Sequence, residues 1–518
     1  MSLERMNPGS THIFSRSIHR IGILASFFLA IFEPVRAEVP LWVISQVPET
    51  PAEQALLASV QGVLNIDQPR VWIRSRGLYE VLLEDLRKEG RPLKNASNVW
   101  EVLAAERTAF RGFVTWSPAD GSLNAATTLA GPRRLALVEA TIRDRVTAMG
   151  LKEVEDVRGK QTGVEQRVPA NCDRRMAVHQ PTDKGIHLRD FAIARSAFTW
   201  FDEQNVSLSP VVQQLDPGAR IFGWGSDEFY FVGGVSRGGG LVIPSDWALN
   251  LSALQHLPVK IPTRPEPPAP EPVREGERVV AFVISDGDNV QWLLNGMATS
   301  PGFWASPERG RFAVTWEMAP LLTEIAPRAL DYFYRTATPR DDFIAGPSGA
   351  GYYFPSDAPD RPLLARDGGN ALRAAGLRLA AVIDNARDMS GADALVSQPG
   401  VDGVLFKNYS AYNHFGSDVR WTSGKPIVSF RFLLWEQRVR GKGLMPEQLP
   451  EGVAASISAM PSGPAAGTAA FALVNVHAWS FRDSGGPMAA VARTLPLLPQ
   501  GTRVVTGTEF FRLLPHPR

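Results

Sequence analysis

Two aspartates spaced two apart, Asp286 and Asp288, follow the apolar run at 279–284 and are the first candidates for chemistry. If the chain is still extended there, both side chains point to one side. Such a pair suits a division of acid and base roles, or a divalent cation. The plain structural alternative is that Asp288 caps a helix starting near Asn289 while Asp286 stabilises the turn. Glu317 sits between Trp316 and Met318, and a carboxyl among apolar neighbours has the raised pKa of a general acid. An ion pair with a nearby arginine is the alternative. His477 closes the run at 471–476, with Trp479 close behind; it is either a hydrogen-bonded core residue or a catalytic one. Polar or aromatic residues recur after the other apolar runs. They are Asn289 and Trp292, then Gly349, Gly351, Tyr352 and Tyr353 in a glycine-rich loop, Asp384 and Asn385, Lys407 and Tyr409, Arg431 and Trp435, and Trp479. These are the expected substrate contacts. The glycine-rich loop is not followed by the Gly-Lys-Ser/Thr of a phosphate loop, and no Gly-x-Ser-x-Gly elbow or His-Glu-x-x-His helix occurs.

Eight strand-like apolar runs would carry these residues, at 279–284, 312–316, 342–345, 379–383, 403–406, 427–430, 471–476 and 503–506. They lack polar alternation and are spaced widely enough for helices between them. That pattern predicts a (β/α) barrel, whole or incomplete, with its working residues at the C-terminal strand ends. A doubly wound open sheet is the competing architecture. Strand–helix–strand rhythm also marks the region before it, so the fold class is α/β, with smaller α/β domains ahead of a barrel-like one. The boundaries read as a signal peptide over 1–37, an N-terminal α/β domain over 38–160 and a second subdomain over 161–260. A linker follows over 261–277, where six prolines between 261 and 273 prevent regular structure, and the barrel-like domain spans 278–518. The N-terminal region is expected to position long substrates or cover the barrel. Its Asp190, Arg195, Asp227 and Glu228 read as surface or interdomain ion pairs.

Arg16, His19 and Arg20 precede an apolar run of about a dozen residues, and Val35-Arg36-Ala37 supplies small residues where a signal peptidase cuts. The run is short for a bilayer crossing, so the mature protein is expected outside the cytoplasm, secreted or periplasmic, without stable membrane insertion. Lys+Arg 54 against Asp+Glu 53 argues against a nucleic-acid-binding surface. Cys172 stands alone, so stability must come from core size rather than an internal disulfide.

The run Gly349-Ala350-Gly351-Tyr352-Tyr353-Phe354-Pro355 resembles the signature of the GxGYxYP putative glycoside hydrolase family, with Phe354 where that signature has its second tyrosine. The stretches 283–292, 122–127 and 245–252 resemble the same family. The resemblance implies a carbohydrate-acting hydrolase with an oligo- or polysaccharide substrate. Asp286 or Asp288 would then pair with Glu317, and Trp292, Tyr352 and Trp479 would stack on sugar faces. Phe354, lacking the hydroxyl, carries no proton-transfer role. No cofactor is expected and no dedicated metal site is assigned, although a divalent cation would suit the aspartate pair. The alternatives are a metal-dependent carbohydrate deacetylase, for which a His-x-x-x-His pair is missing, and a glycan-binding protein without catalysis.

Overall fold

The C-terminal strands lack alternation because both of their faces are covered. In the first strand, Arg278–Ile284, Val280, Phe282 and Ile284 pack outward in one cluster with Val314, Trp316 and Phe406. Val279, Ala281 and Val283 turn inward to a second cluster with Ile344, Leu379, Leu405 and Phe471. Two apolar faces on one strand are the mark of a parallel sheet wrapped by helices. The computed structural model describes residues 39–160, 167–262, 268–439, 441 and 443–516. The export signal read over 1–37, and residues 263–267 of the proline-rich linker, lie outside the described residues.

Val314–Met318, Asp341–Ala345, Leu379–Asp384, Gly403–Asn408 and Lys425–Ser429 follow the first strand in sequence and in space, all parallel. On the other side of the first strand lies Phe471–Val476, and beyond it Phe432–Leu434, again parallel. Only Phe430 and Arg431 separate Lys425–Ser429 from Phe432–Leu434. Phe430 N–H donates to Phe406 O at 3.1 Å, while Arg431 N–H donates to Leu473 O at 3.0 Å. One extended segment therefore joins the two edges, and the sheet curls into a barrel-like form. Two details depart from eight helix-separated strands. No helix follows the run at 427–430, which passes straight into a further strand. The last strand, Thr502–Val504, pairs only with the foot of the first, at Arg278–Val280, whereas Val314–Met318 pairs with its top.

Three small parallel sheets precede the barrel. Val71–Ile73 and Leu93–Ala96 flank Leu41–Ile44; Leu135–Glu139 and Glu153–Asp156 flank Gly112–Trp116; and Leu241–Pro244, Arg220–Gly223, Met176–His179 and Phe198–Trp200 form the third. The helix Pro51–Leu64 starts with Thr50 accepting from Glu53 N–H and Pro51 in its first turn. It is buried from Ala55 through Leu64, as befits a helix enclosed on all sides.

The sequence stretches around 122–127 and 245–252 supply the polar ties between these layers. Asn250 is held in the left-handed region at φ 57°. Its carbonyl accepts from Ile73 N–H at 2.8 Å and Gln61 Nε2 at 2.7 Å, and its amide donates to Ile73 O at 2.8 Å. Asn124 and Thr127 accept from the buried Arg189 guanidinium at 2.8 and 3.0 Å. Asp190, read from sequence as a surface or interdomain ion pair, is instead fully buried. It accepts from the Ser252 hydroxyl at 2.6 Å, and burial pushes its carboxyl up to about 6. Arg195 is partly exposed and lies 3.6 Å from Asp173. Asp227 caps the helix Glu228–Arg237.

Asn250→Ala leaves the Ile73 N–H and C=O buried without a partner, and places alanine in the left-handed region. A loss of about 2–5 kcal/mol is expected, read as a lower urea midpoint; an unmoved midpoint would show that Asn250 does not bind the layers.

Candidate active site

The floor of the site is built where the first two barrel strands end. Asp286 adopts φ 68°, which turns the chain back so that its N–H donates to Glu317 Oε2 at 3.0 Å. Gly287 is required at the next step, because a Cβ there would lie 1.7 Å from Glu317 O. Glu317 points inward from Val314–Met318 and meets Lys407 Nζ at 2.6 Å, with both side chains fully buried. Burial raises the Glu317 carboxyl; Lys407 and the Asp286 N–H oppose that rise. The partner of Glu317 is thus a lysine from the fifth strand rather than an arginine.

Asp286 and Asp288 occupy different environments. Asp286 accepts from Trp479 Nε1 at 3.0 Å and from the Ser285 hydroxyl. Trp479 is held edge-on by Trp292, whose ring lies 5.1 Å away. Asp288 receives no side-chain hydrogen bond from another described residue. Burial, then the negative charges of Asp286, Glu317 and Glu228, push its carboxyl well above the usual range. The cap position next to it belongs to Asn289, which accepts from Trp292 N–H at 3.4 Å. Asp288 is therefore not spent on helix capping.

The opposite wall comes from the third N-terminal sheet. Tyr352 exchanges backbone hydrogen bonds with Val242 at 2.8 and 2.9 Å, so the glycine-rich loop lies along the edge strand Leu241–Pro244. Tyr352 Oη donates to Glu228 Oε1 at 2.9 Å. Burial pushes the Glu228 carboxyl up to about 7; the Tyr352 hydrogen bond lowers it, and Asp286 and Asp227 raise it further. Between floor and wall lies a cavity of about 250 Å³. Glu228, Asp286, Asp288 and Glu317 line it with Lys407, and Trp224, Tyr352, Tyr412 and Trp479 supply its aromatic surface.

Of the residues read from sequence as catalytic or substrate-binding, Asp286, Asp288, Asn289, Glu317, Tyr352, Lys407 and Trp479 line this cavity, and the others do not. Trp292 stands behind Trp479. His477 stacks on Trp435 at 4.1 Å and 14° and shares a 2.8 Å hydrogen bond with Ser480; burial lowers its pKa, which favours the neutral ring. Tyr409 packs on Phe229 and Phe354. Gly349 and Gly351 line a separate void of only about 10 Å³. Tyr353 alternates away from Tyr352 into a cluster with Leu241, Ala358 and Leu364. Asp384 accepts from Ser356 N–H and hydroxyl at 3.1 and 2.6 Å, and Asn385 lies 3.4 Å from Asp357, so both brace a loop. Arg431 turns to the far end of the barrel and donates to Ala469 O at 2.8 Å and Phe471 O at 3.3 Å.

Glu228 is the main residue that the strand-run reading misplaced: it faces the cavity instead of forming an ion pair at a surface or between domains. Trp224 and Glu228 follow Arg220–Gly223, and ligand sites lie outside the carboxyl ends of parallel strands in open sheets as in barrels. That rule, applied to the third sheet, points to both. Among the described residues, no group of three or more His, Cys, Asp or Glu side chains is arranged to hold a metal ion, and no helix is long and apolar enough to cross a membrane.

Three family models match the chain: the GxGYxYP putative glycoside hydrolase C-terminal domain over residues 277–515, the GxGYxYP third domain over 174–256, and the GxGYxYP_N second domain over 110–168. A crystal structure described as a putative hydrolase from Bacteroides thetaiotaomicron VPI-5482 is similar, with a TM-score of 0.82 and 24% sequence identity. The match covers 92% of this chain and 94% of that one, and establishes a shared fold. No curated protein matches the chain.

Lys407→Met strands the Glu317 carboxylate in the core, and a loss of about 3–5 kcal/mol is expected. Adding Glu317→Gln should restore at least half of it, measured by urea unfolding; a double variant no better than the single would contradict the pairing. Glu228 gives a second test. Its carboxyl rises from 4.5 to about 7 on folding, so between those values the folded chain holds a proton that the unfolded chain releases. Stability falls as pH rises through that window, and Glu228→Gln should flatten the fall; an unchanged slope would contradict the assignment.

Proposed function

This chain belongs to the GxGYxYP putative glycoside hydrolase family, and on that footing we propose that its pocket hydrolyses glycosidic bonds with paired carboxylates. The supporting observation is the contrast between Asp286 and Asp288. Asp286 accepts from an indole on one oxygen and from a hydroxyl on the other, so its carboxyl is held in place as an acceptor. Asp288 beside it is pushed toward its protonated form by burial and by three neighbouring carboxyls. A carboxyl raised by its surroundings beside one engaged as a hydrogen-bond acceptor is an arrangement suited to an acid and its partner. Asp288 gives its proton to the departing glycosidic oxygen, and Asp286 meets the anomeric centre, directly or through a water. Glu317 serves neither role, since Lys407 engages it; it positions the Asp286 backbone. Trp224, Tyr352, Tyr412 and Trp479 offer faces on which the C–H surface of a sugar can rest.

The run at 21–32 supports action on a glycan outside the cytoplasm. A metal-dependent deacetylase is less well supported, because Asp286 is occupied by Trp479 and Ser285 and the described residues supply no set of ligands around it.

The test is hydrolysis of a broad glycan panel by the full chain, with and without chelator. Asp286→Asn and Asp288→Asn should each lower kcat by about 10²–10⁴-fold, with chelator having no effect. Activity should be lost on the alkaline side as Asp288 gives up its proton. Acetate release abolished by chelator would favour the deacetylase, and glycan binding without turnover would leave a binding protein.

A further inference from the structure

We propose that Glu228 selects the substrate: its carboxyl binds hydroxyls of a neutral sugar in the pocket, and with Asp286 it excludes uronic and sulfated sugars. This rests on the hydrolase reading of the same pocket. Glu228 is carried by the helix Glu228–Arg237 of the third N-terminal sheet, yet it lines the cavity together with the two aspartates of the barrel. One carboxyl oxygen is fixed by Tyr352 Oη at 2.9 Å. The other has no hydrogen-bond partner among the described residues, which leaves it available to a ligand. A rigid carboxyl with one unspent oxygen is suited to a sugar hydroxyl, and a site built around such a bond discriminates strongly against ligands that cannot make it.

Charge sets the second half of the selection. The cation lining the cavity, Lys407, is spent on Glu317. An anionic sugar would enter facing Glu228 and Asp286 with no uncommitted lysine or arginine among the described lining residues, and like charges brought together in a confined site are costly. The groups acting on Glu228 are Asp286 and Asp288 from the barrel floor, Lys407, Tyr409 and Tyr412 from the fifth strand and its loop, Tyr352 from the glycine-rich loop, and Asp227 on its own helix. With its carboxyl pushed up to about 7, Glu228 offers a proton below that pH and a charge above it, so rejection of anions should sharpen as pH rises.

Kinetics of the full chain on aryl glycosides of neutral hexoses and of glucuronic and galacturonic acid would test this. Glu228→Ala should raise KM for the neutral substrate about 10–100-fold with a much smaller effect on kcat, the pattern of a lost uniform-binding contact. Glu228→Gln, which keeps a hydrogen bond and removes the charge, should hold KM near wild type and admit the uronides. A fall in kcat at unchanged KM would overturn the proposal, making Glu228 a proton donor. Calorimetric binding of methyl hexosides and free glucuronic acid to the Asp288→Asn variant reads selection without turnover, so it still reports on Glu228 if hydrolysis fails. Binding of glucuronic acid as tight as that of the neutral sugars, or no binding of any neutral sugar, would overturn the proposal there. Thermal melting of each variant shows whether it is folded.

Discussion

A lysine and a glutamate stripped of water at the top of a barrel gain little stability, because desolvation consumes most of their attraction. What the Glu317–Lys407 pair achieves is geometric. Glu317 also takes the backbone N–H of Asp286, so one fixed carboxylate orients both the lysine and the turn that carries the aspartate pair. The pair also settles the charge balance. Once Lys407 is committed, the carboxyls of Asp286, Asp288 and Glu228 share a small cavity with no free lysine or arginine among its described lining residues, and burial together with neighbouring negative charge pushes the Asp288 and Glu228 carboxyls above their ordinary range.

Two sheets of different origin meet at this cavity, and both do so at the carboxyl ends of parallel strands. The barrel contributes the reactive floor and the smaller sheet contributes Trp224 and Glu228. Their join is backbone pairing: Tyr352 lies against Val242 as if it were one more strand, and its side chain then reaches forward to Glu228. The aromatic loop is thus a coupling between layers before it is a surface for ligand.

Much of the barrel was legible because strands covered on both faces read as unbroken apolar runs, and those runs coincide closely with the observed strands from Arg278–Ile284 to Phe471–Val476. The strand-end rule then led to Asp286, Asp288, Glu317, Lys407 and Trp479. It led equally to Asp384, Asn385 and Arg431, which lie outside the cavity for distinct reasons. A polar group after a strand also braces the next loop, as Asp384 does with Ser356. Arg431 follows a strand that never turns into a helix, so its side chain is delivered to the other end of the barrel. Tyr353 and Tyr352 are neighbours in an extended stretch, and only one of two neighbours can face the cavity. Glu228 escaped because spacing alone does not reveal which N-terminal strand end abuts the barrel.

The junction at Phe430 and Arg431 bears on how the chain reaches this form. Successive residues donate to two strands that lie far apart in sequence, one near 406 and the other near 473. The ring cannot shut until both are in place, so closure demands contacts of long range in the chain, the kind that slow folding. Until then the sheet has two unsatisfied edges, each open to pairing with another copy. The same ten-residue segment that completes the barrel is therefore its latch, and the period before it engages is when the nascent protein is most exposed to aggregation.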